Sequence, residues 1–267
     1  AARDASPPSV HTKLVFLQVH KMASRSITQA LLSLNLPERL LTIILEADTL
    51  APELHRLHLG HHNAFVIGTM RNPCDWYVSN WKYNCFEWYS HGEFDKFDQW
   101  CGDGPPLKRR FALSITAFRK YLISGMMEHM SGLMHEDYAG LGGRSYRKLH
   151  WSCRDRSSRS SSQVTAGCRP DWKRVQRAAF SPKLVDCWVQ LTSLDADLRS
   201  CLQRWAIASG VPAAVPQYKP APHIHQINAM KCPDYYTRDL AAAVMELDRP
   251  IFEYFQYTQC CGPPVGR

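Results

Sequence analysis

Two short apolar runs, KLVFLQV (Lys13–Val19) and AFVIGTM (Ala64–Met70), set the tightest limit on what this chain can fold into. Neither alternates polar with apolar residues, so neither suits a strand with one wet face. Both are too short for a buried helix and are rich in β-branched or aromatic side chains. They read as strands covered on both faces, the pattern of a parallel sheet. Each is followed by a polar turn and a helical pattern. The first helix is predicted over Ser26–Leu34, with apolar Ile27, Ala30, Leu31 and Leu34 and a stop at Pro37; the second, rich in aromatics, runs from about Cys74 to Tyr89.

The same alternation continues. LVDCWVQL (Leu184–Leu191) is a third strand and precedes a helix over Asp195–Ser209. A long helical pattern covers Phe111–Met134, and TRDLAAAVMELDRPIFEYFQY supplies terminal helices. Buried strands alternating with helices predict an α/β fold with a mainly parallel sheet flanked by helices. The expected organisation is an N-terminal tail over 1–12, a single domain over 13–259 and a C-terminal tail over 260–267. GLGGRSYRKLHWSCRDRSSRSSSQVTAG (Gly140–Gly167) reads as loop or disorder, a basic Ser/Arg-rich insertion at about 140–170.

Composition supports a real core: 45% of the 267 residues are hydrophobic, with 8 Trp. The run LLTIIL (Leu40–Leu45) falls far short of the roughly 20 residues that cross a bilayer. No secretory signal pattern is present; the first residue is Ala rather than Met, which leaves an upstream anchor or signal open. The net charge of +8 is local, because ten Lys and Arg between Arg144 and Arg177 face only Asp155 and Asp171. That segment is either a solvated insertion or an electrostatic funnel for an anionic polymer, and nothing in it specifies a nucleic acid. The ten cysteines include no C-x-x-C pair, which argues against a zinc ribbon. Scattered as they are, they read as small buried apolar groups, with lumenal disulfides as the alternative.

The chemistry concentrates at two turns. HKMASRS (His20–Ser26) joins the first strand to the first helix, where a helix N-terminus offers unpaired N–H groups and a positive dipole end. Lys21 adds a mobile charge, and Ser24 and Ser26 add hydroxyls; the plainer reading makes Ser24 an N-cap and leaves Lys21 in water. G-x-x-x-x-G-K-[ST] is absent, so magnesium-nucleotide hydrolysis is not signalled. RNPCDWYVS (Arg71–Ser79) leaves the second strand, with Pro73 where a helix begins. Arg71 and Ser79 suit a second phosphate, against a plain salt bridge and a helix-face filler. Ligands of α/β sheets bind beyond the carboxyl ends of strands, where both turns lie.

The strand–H-K-x-A-x-x-S–helix pattern resembles the 5′-phosphosulfate loop of sulfotransferases that use 3′-phosphoadenosine-5′-phosphosulfate (PAPS), and RNPCDWYVS is similar to their 3′-phosphate motif. The likeness extends through VDCWVQLTSLDADL (Val185–Leu198) and through INAMKCPDYYTRDLAAAVMELDRPIFEYFQY (Ile227–Tyr257), similar to the tail of Golgi-type and bacterial members. Arg25 stands where the family carries a small hydroxyl residue. Gln190-Leu191-Thr192 replaces an Arg-x-Glu-like strand end.

The resemblance implies a P-loop-like fold and transfer of a sulfuryl group from PAPS to an acceptor hydroxyl, with no metal. Lys21 would neutralise charge on the leaving oxygens; Met22, Ala23, Ser24, Arg25 and Ser26 would hold the 5′-phosphate; Arg71 and Ser79 would clamp the 3′-phosphate. The base would come from LHRLHLGHHNAF (Leu54–Phe65), His61 first and His58 second, with Glu46 and Glu53 competing. Surface-loop histidines are the plainer reading. Asn228 is a cofactor contact or a cap, and Trp76, Trp81 and Trp88 are expected in the core. Golgi-type likeness implies a carbohydrate acceptor and a lumenal or membrane-anchored setting if a segment precedes residue 1, cytoplasmic otherwise. The alternatives are a kinase-like P-loop nucleotide enzyme, a degenerate sulfotransferase fold, and a polyanion binder acting through residues 144–177.

Overall fold

The computed structural model describes residues 13–17, 23–38, 40–44, 64–102, 114–123, 151–153, 168–170, 185–210 and 231–262. They group into two compact units, the first drawn from 1–71, 136–143 and 181–226, the second from 72–135, 144–180 and 227–267.

The first unit is built on an all-parallel sheet of four strands in the order β2-β1-β3-β6: β1 (Lys13–Leu17), β2 (Leu41–Ile44), β3 (Ala64–Met70) and β6 (Cys187–Gln190). The continuous apolar runs become strands because both faces are buried; Leu14, Val15, Phe16 and Leu17 are all fully inaccessible. In register, Leu14 lies beside Leu41 and Phe65, and Phe16 beside Ile43 and Ile67. These side chains share one face. Helices α1 (Ser24–Leu32) and α5 (Leu194–Ser209) pack on it through Ile27, Ala30 and Leu31, and through Leu198, Leu202 and Trp205.

Polar side chains fix the β6 end of this sheet. The Asp186 carboxylate accepts from Val66 N–H at 2.7 Å while Asp186 N–H donates to the Val66 carbonyl. Asp197 accepts from Gln190 N–H at 2.9 Å and from the Ser193 hydroxyl at 2.7 Å, which ties strand to helix. The place of Asp197 in LDADL (Leu194–Leu198) thus has a local structural reason. Gly68 is required by close approach, since a Cβ there would meet the Trp188 ring at 2.8 Å.

The second unit is helical: α2 (Pro73–Ser90), α3 (Phe94–Trp100), α4 (Ile115–Ile123), α6 (Cys232–Tyr235), α7 (Arg238–Leu247) and α8 (Arg249–Tyr254). Its centre is aromatic. Trp81 packs edge-on against Phe118 and Tyr235, and its indole N–H donates to the Trp100 carbonyl. Trp76 and Trp81 are fully buried, as expected of the core, whereas Trp88 is half-buried and lies edge-on to Tyr121.

Three readings need correction. LTII inside Leu40–Leu45 is an edge strand, β2, which the sequence reading had weighed only against a membrane span. β4 (Trp151–Cys153), inside the Gly140–Gly167 stretch read as loop or disorder, pairs antiparallel with β5 (Cys168–Pro170) just past it, with Cys153 opposite Cys168. Third, eight cysteines are not scattered apolar fillers. They pair as Cys74–Cys260, Cys85–Cys101, Cys187–Cys201 and Cys232–Cys261.

Candidate functional site

The winding of the sheet decides where a ligand belongs. From β1 the chain passes through α1 to β2 on one side, then returns to β3 on the other side of β1. The winding therefore reverses between β1 and β3, and in open α/β sheets the ligand crevice forms at the carboxyl ends beside such a reversal. Because β1 and β2 are parallel, α1 must run back along the sheet, so its first turn lies at that same carboxyl edge. Arg71 follows β3 directly and lies at the same edge. Neighbouring strands are roughly 4.8 Å apart. Ala23–Ser26 and Arg71 thus lie at the same carboxyl edge of the sheet, within the first unit.

The two helix starts are built differently. Helix α1 begins after Ala23, which has left-handed backbone angles (φ 59°, ψ 21°), and no side chain caps its first turn. A non-glycine residue in this region costs about 1 kcal/mol or more, and such strain collects at functional turns. An uncapped first turn keeps its N–H groups available to an anion. Arg25 is exposed and Ser26 is buried. The positive end of the α1 dipole lies at this edge.

Helix α2, in contrast, is capped closely. Asn72 Oδ1 accepts from the Cys74 N–H at 3.0 Å, and Pro73 occupies the first helical position. The same Oδ1 accepts from the Cys261 N–H at 3.3 Å, and Nδ2 donates to the carbonyls of Gln259 and Gly262 at 2.9 and 3.0 Å. Cys74 is bonded to Cys260, and Cys261 to Cys232. The stretch assigned by sequence to a tail thus carries two disulfides and two hydrogen bonds to Asn72. Ser79 is half-buried in the second turn of α2.

The sulfurs of Cys74, Cys260 and Cys261 lie within 4.8 Å of one another, but each belongs to a disulfide and offers no thiolate to a metal. Lys21, Met22, His58 and His61 lie outside the described residues, as do Glu46, Glu53, His55, His62 and Asn228. Sequence reasoning missed the left-handed Ala23 and the anchoring role of Asn72. The available signal was Cys260-Cys261, an adjacent pair placed so far along the chain from Cys74.

No family model, curated protein or solved structure matches the chain. The functional reading therefore rests on the residues and their arrangement.

Proposed function

We propose that this chain is a PAPS-dependent sulfotransferase that moves a sulfuryl group onto an acceptor hydroxyl of a carbohydrate, with a P-loop-like cradle formed by β1, the following turn and α1. The observation that carries this reading is the reversal of winding between β1 and β3, which puts an uncapped helix start and an arginine at one edge of one sheet. A nucleotide with phosphates at both ends of its ribose needs two such anion sites.

In this reading the N–H groups of residues 22–26 hold the 5′-phosphosulfate, aided by Ser24 and Ser26, and Lys21 neutralises charge on the leaving phosphate as the S–O bond breaks. Arg71 takes the 3′-phosphate and so separates PAPS from ATP. His61, or failing it His58, removes the acceptor proton. The lysine and the helix dipole provide the positive field without a metal. Four disulfides support an oxidising compartment, and hence a lumenal glycan enzyme over a cytosolic kinase.

The test has two stages. Thermal unfolding is followed with 3′,5′-adenosine bisphosphate without magnesium, and with Mg-ATP. Stabilisation by the bisphosphate alone is expected, and dependence on Mg-ATP would turn the reading to the kinase class. Sulfate transfer from PAPS to a panel of glycans is then compared for wild type and Lys21→Ala. Transfer that the substitution leaves intact, or no transfer by a protein that binds the bisphosphate, overturns the catalytic assignment.

A further inference from the structure

The anchoring of Asn72 bears on how the anion site is controlled. Three of the four hydrogen bonds made by its side chain go to residues 259–262, and that segment is held in turn by Cys74–Cys260 and Cys232–Cys261. The backbone that follows Arg71 is therefore fixed by a knot closed with two oxidisable bonds. Cys261 has a left-handed backbone (φ 65°), unusual for a residue with a side chain. Opened, the segment has no covalent reason to stay, and Asn72 keeps only its bond to the Cys74 N–H.

We propose that this knot is a redox lock on the turn that starts at Arg71: closed, it holds the turn in its 3′-phosphate-binding form; opened by a dithiol, it lets the turn relax and the preference for 3′-phosphorylated nucleotide falls. The proposal rests on the sulfotransferase reading for the identity of the ligand.

The chemistry balances with a dithiol as reductant. Cys74 is fully buried and Cys260 is half-buried, so attack falls on the Cys260 sulfur. A reductant thiolate bonds to Cys260 Sγ, the Cys74–Cys260 bond breaks, and the Cys74 thiolate takes up a proton. The second reductant thiol then attacks its partner sulfur and frees Cys260 as a thiol. The disulfide gains two electrons and two protons, and the dithiol becomes a disulfide. Cys260 Sγ is 4.0 Å from Cys261 Sγ, so the freed Cys260 thiolate is placed to attack Cys261 Sγ, forming Cys260–Cys261 as the Cys232–Cys261 bond breaks and releases the Cys232 thiolate; a second dithiol then reduces the new bond.

The experiment measures calorimetric affinities for 3′,5′-adenosine bisphosphate and for 5′-AMP. Three proteins are compared: oxidised wild type, wild type opened by dithiothreitol with Cys74–Cys260 cleavage verified by peptide mass mapping, and Asn72→Ala with its disulfides intact. The oxidised protein is expected to prefer the bisphosphate by about tenfold or more, as a charge-assisted clamp requires. The other two are expected to keep their 5′-AMP affinity and lose most of that preference. Equal preference in all three overturns the lock and leaves the nucleotide reading standing. Loss of 5′-AMP binding along with the preference also overturns it, because the knot would then hold the fold as a whole. An oxidised protein with no preference sinks the nucleotide reading, and the lock with it.

Discussion

The phenolic hydroxyl of Tyr77 donates to the buried carboxyl of Asp248 at 2.8 Å, pinning α2 to the corner where α7 gives way to α8. Asp248 also builds that corner with its backbone, since its N–H donates to Val244 and its carbonyl accepts from Ile251 and Phe252. Removing the phenol oxygen takes a donor from a group that water cannot reach. Tyr77→Phe is expected to lower the unfolding free energy by about 1–3 kcal/mol with an unchanged denaturant slope. An unchanged urea midpoint would show that the bond contributes nothing.

Gly68 lies in β3 beneath the Trp188 ring of β6. An added methyl would meet ring atoms at 2.8 and 3.0 Å and the Val185 side chain at 3.0 Å. Gly68→Ala should destabilise by about 1–3 kcal/mol through overpacking. Pairing it with Trp188→Leu should recover part of that loss, a coupling a double-mutant cycle reads directly. Strict additivity would mean the clash is relieved elsewhere.

Arg71 offers a planar fork, and a lysine at the same place offers one point charge. Under the proposed function, Arg71→Lys should weaken 3′,5′-adenosine bisphosphate by about tenfold while 5′-AMP binding changes little. Titration calorimetry with the two nucleotides separates the outcomes. Equal weakening of both would remove Arg71 from the 3′-phosphate.

Burial raises the pKa of Tyr235 above its ordinary 10.0, and the neighbouring Asp234 carboxylate raises it further. The folded protein therefore holds this proton at a pH where the unfolded chain has released it. Stability from this residue is complete below pH 10 and is lost as pH rises from there through the folded value. Tyr235→Phe should make the unfolding midpoint less sensitive to pH above 10, seen by denaturant titration at pH 9 and above. Identical slopes in the two proteins would contradict the shift.

Much of the architecture can be read along the chain because it is locally encoded. The runs at β1 and β3 carry their double burial in an unbroken apolar pattern, and Pro73 marks the start of α2. β2 escaped because a four-residue strand at a sheet edge, with Leu41, Thr42 and Ile43 half-buried, gives too little pattern to separate from its surroundings. The disulfides escaped for a different reason. Their partners are 186, 16, 14 and 29 residues apart, and which sulfurs meet depends on the folded path. Asn72 is similar: its side chain caps its own helix, a local event, but its other partners lie 187 to 190 residues away. The reversal of winding that defines the crevice is equally non-local, because it depends on which side of β1 the third strand joins.

That distance gives the molecule an order of manufacture. The last strand of the main sheet is complete once residue 190 has been made, whereas the clasp on Asn72 needs residues 259 to 262. On the ribosome the scaffold can assemble before the turn at Asn72 is fastened, so a nascent chain stopped short of Gly262 would carry a formed sheet with that turn still unclasped.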